Sequence, residues 1–424
     1  MPCYYVVATR VYRDARRSLV PVGGTTDSPD NPASADERSD RLVLLACSAT
    51  HLVTDGLAAA FYPLLPLIAL DLHLSYTAVG SLRAVLRGGS SFFQLPAGYL
   101  VDHIAETALL GGGMMWLSAG FAAMAAAAGF WSLMAITAVG SLGGNAQHPI
   151  GSAMVSKLYE KSGRGRAIST LNFSGDLGKM MLPALAGAVA LIYGWRGAVL
   201  ALGALGVVAS VGYALSVRRL APMAKTSPTI SGEGKVVSGW GIQKPFNFAL
   251  ISAIGVIDDA TRSAALTFLP FLMTGKGLNT EKVSLLLTLI FACGAAGKLG
   301  CGLLADRFGN VGVIVITEGI TALAILAVVP VDPLLLIPVL VVFGFVLNGT
   351  SSAIYSAVAE TVHVERRARG YGLFYTLTLG VGTAAPILYG LLADAAGIGI
   401  TFAAMAVILL ATIPLALVMN RSTI

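Results

Sequence analysis

The sequence predicts an all-α membrane protein whose twelve spanning helices form two six-helix bundles. Two observations carry this. The first is composition. Of 424 residues, 56% are hydrophobic and 12% charged, with a mean hydropathy of +0.78, far more apolar than a soluble domain. The second is an internal displacement of 204 residues. Asp55 sits in an apolar run ending at Pro66, and Asp259 in one ending at Pro270. Gly98 and Asp102 recur as Gly302 and Asp306. Landmarks that keep one offset across half the chain mark a duplication. Duplicated multi-span proteins place a site between their halves near the bilayer midplane, so the expected task is moving a solute across a membrane.

A spanning helix needs about 20 mostly apolar residues. Twelve runs qualify, here spans 1 to 12: 42–66, 77–100, 107–128, 132–154, 167–192, 197–217, 246–271, 282–304, 311–329, 333–357, 370–393 and 398–419. Their interior Gly and Pro are tolerated because neighbouring helices and cavities re-satisfy the backbone. Residues 1–41 are polar and read as a disordered cytoplasmic tail, or as the product of a start codon set too far upstream. They contain no signal-peptide pattern. Residues 218–245, with Arg218, Arg219, Pro222, Pro228, Gly232 and Gly234, read as a cytoplasmic linker. The expected bundles are therefore 42–217 and 246–424.

Loop charge sets the orientation. With the N-terminus in the cytoplasm, cytoplasmic segments hold 20 of the 28 Lys and Arg residues. The other face holds only Arg196, Lys276 and Lys282. Both termini are thus expected in the cytoplasm, in a bacterial inner membrane. The net charge of +6 reflects this bias and does not point to nucleic acid. Cys3, Cys47, Cys293 and Cys301 form no Cys-x-x-Cys pair, so neither a disulfide nor a metal site is expected. No nucleotide-binding Gly-Lys-Thr/Ser loop or soluble catalytic domain is present, which argues against an enzyme. The chain is expected to act as a monomer, without a cofactor beyond a proton gradient.

Ionisable groups in hydrocarbon are costly and mark function or pairing. His51 and Asp55 lie four apart on span 1, Asp176 and Lys179 three apart on span 5, and Asp258 and Asp259 just before Arg262 on span 7. Each set can neutralise itself within its own helix. Arg83 and Arg87 on span 2 share a sign and a face, with no acid in that helix. They call for an acid from another helix, water or an anionic substrate, which a guanidinium fork suits. Alternatively Arg83 snorkels to the interface. Lys179 and Arg262 are expected to join them in a basic cavity. Lys298 occupies the offset position of Gln94 and binds either substrate or helix-end carbonyls. His148, before Pro149, either bonds a backbone carbonyl or exchanges protons. Glu318 on span 9 reads as a packing or lipid-interface residue. For proton coupling Asp55, beside His51, is the first candidate, then Asp176, then Asp259 as the duplicate of Asp55.

The stretch Gly302-Leu303-Leu304-Ala305-Asp306-Arg307-Phe308-Gly309 resembles the loop signature of the major facilitator superfamily. Its N-terminal copy keeps Gly98 and Asp102 but lacks the Arg and the second Gly. More narrowly, His148-Pro149-Ile150-Gly151-Ser152, Gly175-Asp176-Leu177-Gly178 before Pro183, Asp55 before Pro63 and Pro66, and Gln94 resemble the fosmidomycin-resistance efflux family. Ile150 replaces an acidic residue, and Arg83, Arg87 and Lys179 stand outside that pattern. The resemblance implies the major facilitator fold and a gating role for Asp306 and Arg307. These would pair with charges on the opposing bundle, with Arg366, Arg367 and Arg369 as candidate partners.

The favoured expectation is proton-coupled efflux, by antiport, of a small organic anion or drug-like compound, as in drug resistance. Three alternatives stand beside it: uptake by proton symport, export of a soft metalloid through cysteine thiols, and a non-transporting receptor or assembly factor on the same fold.

Overall fold

The computed structural model describes residues 32–100, 103–144, 150–159, 163–220, 240–363 and 366–421. These are almost entirely helical. The extended pairing among them is one isolated antiparallel bridge, Ile242 with Val362. The described residues up to Leu42 belong to one unit and those from Val43 onward to another compact body. The first helix runs Pro32–Asp71. Residues 32–41, expected in a disordered tail, are therefore helical.

Seven helices among the described residues are long and apolar enough to cross a membrane. Two of these hold two spans each. Arg164–Leu220 carries spans 5 and 6, folded back at Gly194 (φ 67°). Thr280–Val328 carries spans 8 and 9, folded at Gly309 (φ 73°). Positive φ strains any residue with a Cβ, so glycine stands at both reversals. Span 2 lies in Tyr76–Leu100, span 3 in Glu106–Ala123, span 7 in Pro245–Gly275, span 10 in Pro333–Thr361 and span 11 in Arg367–Ala396. Span 4 opens as Phe130–Ser141, followed by Ser152–Leu158. Span 12 consists of Ile398–Leu410 and Thr412–Arg421. The result is an all-α membrane protein whose order of spans is the one the hydropathy predicts. Helix starts follow ordinary rules. Pro245 and Pro333 occupy first-turn positions, and Asn279 caps Thr280–Val328 by accepting from the Lys282 amide at 3.0 Å.

The loops fall on two faces. On one, here the distal face, Arg196 donates to Asp71 and to the Ala127 carbonyl, while Trp195 Nε1 reaches Asp71 at 3.1 Å. Lys276 Nζ donates to the carbonyls of Val329 and Val331, each at 2.7 Å. A cation is favoured at such a helix C-terminus. On the opposite, linker face, residues 241–244 are tied to the end of span 10. Gln243 N donates to Thr361 O at 2.9 Å and His363 N to Gly241 O at 2.8 Å.

The two sequence halves meet near the distal face. Asp394, ending span 11, accepts from the amides of Tyr76 and Thr77 at 2.8 and 2.9 Å and from Thr77 Oγ1 at 2.6 Å. It thereby caps the helix of span 2. Further in, a Cβ at Gly80 would collide with the Pro386 carbonyl. Small residues let membrane helices approach this closely. Spans 5 and 8 make the matching contact, where Thr288 Oγ1 donates to Met180 O at 2.9 Å.

Candidate functional site

Two clusters of charged side chains lie where the halves meet. The first is built on spans 1, 5 and 8. Lys179 Nζ stands 2.8 Å from Asp55 Oδ2 and 3.4 Å from Asp176 Oδ1. His51 Nε2, one turn before Asp55, is 3.4 Å from the same Asp55 oxygen. Glycine makes this approach possible: a Cβ at Gly178 would strike the Leu52 carbonyl, and one at Gly175 would strike His51 and Asp55. Lys298 then donates to both oxygens of Asp176, at 2.7 and 2.8 Å, and so joins the second half to the first. Among the described residues two carboxylates face two ammonium groups, and that set is neutral while His51 is neutral.

The second cluster is built on spans 2, 7 and 11. One Arg87 nitrogen lies 2.8 and 2.7 Å from the two oxygens of Asp259. Arg262 reaches Asp259 at 2.9 Å and Asp258 at 3.6 Å. A Cβ at Gly382 would strike the Asp259 carboxylate. Beside it, Asp258, Asp259, Arg262, Tyr355 and Phe374 line a cavity of about 20 Å³, room for about one water molecule. A larger cavity, about 510 Å³, lies at the linker face among Lys244 of the linker and Asn310, Glu360 and Leu417 of the second half.

Arg83 belongs to neither cluster. It is 7% exposed, donates to Tyr62 Oη at 2.5 Å and lies 4.1 Å over that ring. It does not snorkel to the interface. Among the described residues Arg87, Lys179, Arg262 and Lys298 each have a carboxylate within ion-pair distance, and Arg83 has none.

Several expectations change. The acid that span 2 lacks is Asp259, from span 7 of the other half. Lys179 does not join Arg83 and Arg87 in a basic cavity, because it takes Asp55 and Asp176 in the first cluster, and Arg262 meets Arg87 across their shared acid Asp259. The local pairs on spans 5 and 7 form, yet the shorter contact of Lys179 crosses to span 1. Lys298 binds Asp176 instead of helix-end carbonyls. Glu318, read as a packing or lipid-interface residue, is fully buried, and among the described residues neither oxygen has a protein hydrogen-bond partner. Asp306 and Arg307 are exposed and make no ion pair among the described residues. Arg307 lies 5.5 Å over the Phe308 ring, and a Cβ at Gly302 would meet open space. Asp102 and His148, and the side-chain surroundings of Gln94 and Gly98, lie outside the described residues. The described cysteines are free and do not gather: Cys47 and Cys301 lie in different apolar clusters.

Tyr62, Tyr355 and Gly382 escaped the sequence reading, and Gly175 was read there only as part of a family motif. For Gly382 a signal existed, since it stands 204 residues after Gly178. Uncharged Tyr62 and Tyr355 carry no comparable mark.

Comparison with known proteins places this geometry. The family model described as Major Facilitator Superfamily matches residues 47–257 and again 251–423. The "Probable L-galactonate transporter" of Escherichia coli (strain K12) is 25% identical over 69% of this chain and 68% of its own. The "Fosmidomycin resistance protein" of the same organism is 26% identical over 85% of this chain and 88% of its own. Among solved structures, a bacterial homolog of the human lysosomal transporter Spinster, in an inward-facing and occupied conformation, superimposes with a TM-score of 0.78. It covers 89% of this chain and 96% of that one at 15% identity, a likeness of fold alone.

Proposed function

The chain belongs to the Major Facilitator Superfamily, and from that premise we propose that this secondary transporter carries a small organic anion together with a proton. The observation that carries the reading is Arg83. A buried guanidinium held only by a phenol and backbone is short of negative charge, and a carboxylate or phosphate suits its fork. The relative described as a probable L-galactonate transporter, whose named solute is a sugar acid, supports this class.

The first cluster supplies the coupling. Lys179 is shared between Asp55 and Asp176. Protonating Asp55 removes one claim on Lys179, which then competes with Lys298 for Asp176. The cross-half contact Lys298–Asp176 loosens, and the cluster gains one positive charge. That charge favours an anion bound at the same time as the proton. Alternating access follows as the contacts between the halves exchange. Efflux of a drug-like compound is the second reading, favoured by the 85% of this chain aligned with the fosmidomycin resistance protein. Inner-membrane placement with both termini in the cytoplasm belongs to both readings.

The test is transport in liposomes under an imposed pH gradient, with sugar acids, other carboxylates and phosphonates, and with cationic and neutral drugs. The expected result is anion accumulation in the direction of proton flow, lost in Arg83→Gln and weakened in Arg83→Lys. Anion movement against proton flow would replace symport by antiport. Transport of cations alone, with Arg83→Gln unimpaired, would overturn the anion reading.

A further inference from the structure

The second cluster carries an unbalanced charge. Arg87 and Arg262 bring two positive charges, and Asp258 and Asp259 answer them. Glu318 adds a third carboxyl. Its exposure is 0%, and among the described residues no protein group hydrogen-bonds either oxygen. The charged groups that act on it are Asp258 and Arg262 of span 7. Span 10 brings Tyr355, which lines the small cavity with Asp258. Span 12, residues 398–419, has no ionisable side chain. Arg262 is already committed to both aspartates. An ionised Glu318 would be a buried charge without a partner, the costliest arrangement available to it.

We propose that Glu318 is a proton-binding site of the second half, holding one proton in the arrangement described here. One proton on its carboxylate gives the neutral acid and brings the cluster, with its two arginines and two aspartates, to zero charge. Arg87 is the one member of this cluster drawn from the first half. Withdrawing it leaves a single arginine against three carboxyls, and neutrality then requires a second proton. Breaking the Arg87–Asp259 bridge and binding a proton are thereby linked. This site lies apart from Asp55 and does not rest on the direction of transport or the nature of the substrate.

Infrared spectroscopy of the purified full chain at neutral pH, in H₂O and D₂O, tests it without any substrate. A protonated buried acid gives a deuterium-sensitive carbonyl band, which ionised carboxylates lack. The expected band is present in the wild type and in Asp55→Asn and is lost in Glu318→Gln. In Glu318→Asp, which keeps a carboxyl if the Gln variant fails to fold, the band shifts. In Arg87→Gln it gains intensity as a second carboxyl takes up a proton. Absence of the band from the wild type, or a band unchanged in both Glu318 variants, would overturn the proposal. A failed transport test leaves this band unaffected, and a missing band leaves the transport test standing.

Discussion

The two charge clusters occupy related places in a duplicated chain and solve the same problem differently. Asp55 and Asp259 are offset copies, and each faces a glycine on span 5 or span 11. Around Asp55 the cations are lysines, and they equal the carboxylates in number. Around Asp259 they are arginines, and with Glu318 the carboxyls outnumber them. Thr383 stands at the offset position of Lys179, so the second half supplies no cation from span 11 and Arg87 comes across from the first. A lysine is a compact, movable point charge, while an arginine fork fixes geometry. The difference teaches that the duplication supplies a scaffold with two acid positions. The bridging cations, placed independently, decide which cluster switches and which holds.

The strongest way to break this comparison is to neutralise each aspartate in turn. Asp55→Asn is expected to reduce proton-driven accumulation to the level of empty liposomes while the protein still folds, because Lys179 retains Asp176. Asp259→Asn is expected to lower stability by about 3–5 kcal/mol, since two buried guanidiniums lose their shared acid. Thermal unfolding of both variants beside the transport assay measures this. Equal destabilisation by the two substitutions would remove the distinction between switching and holding clusters.

Arg87→Gln comes next. It keeps Arg262 on Asp259 but removes the bridge between the halves. The side chain is 18% exposed, so the loss should fall below the buried limit, at about 2–3 kcal/mol. Arg87→Lys should recover only part of it, because the lysine ammonium ends one atom short of the guanidinium nitrogen that reaches Asp259. Unfolding midpoints for the two variants decide the matter, and full recovery by Lys would show that charge alone suffices there.

The smallest effect belongs to the other bridge. Lys298 is 38% exposed, and a solvated pair contributes about 1 kcal/mol or less. A double-mutant cycle with Lys298→Gln and Asp176→Asn should return a coupling in that range. Its size should also fall with added salt more than that of Arg87 and Asp259. A coupling above the Arg87–Asp259 value would reverse the assignment of the looser, switching bridge to the first cluster.

Much of this was legible in the chain itself. The apolar runs, the 204-residue offset and the loop signature around Asp306 determine an all-α membrane protein of a duplicated kind, because burial in lipid imposes length and apolarity on each span separately. The residues of both clusters were identifiable for the same reason: a charge inside an apolar run is conspicuous. Pairing within one helix was also readable, since spacings of three and four place side chains on one face. Pairing between helices was not. That Lys179 turns to Asp55, that Arg87 finds Asp259 172 residues away, and that Arg83 is left to Tyr62 depend on rotation and approach of the spans, set by contacts such as Gly178 against Leu52. The same holds for Glu318, whose helix is apolar all round and gives no sign of which face turns inward. Sequence determined which charges enter the membrane; the packing of the helices decided which of them meet.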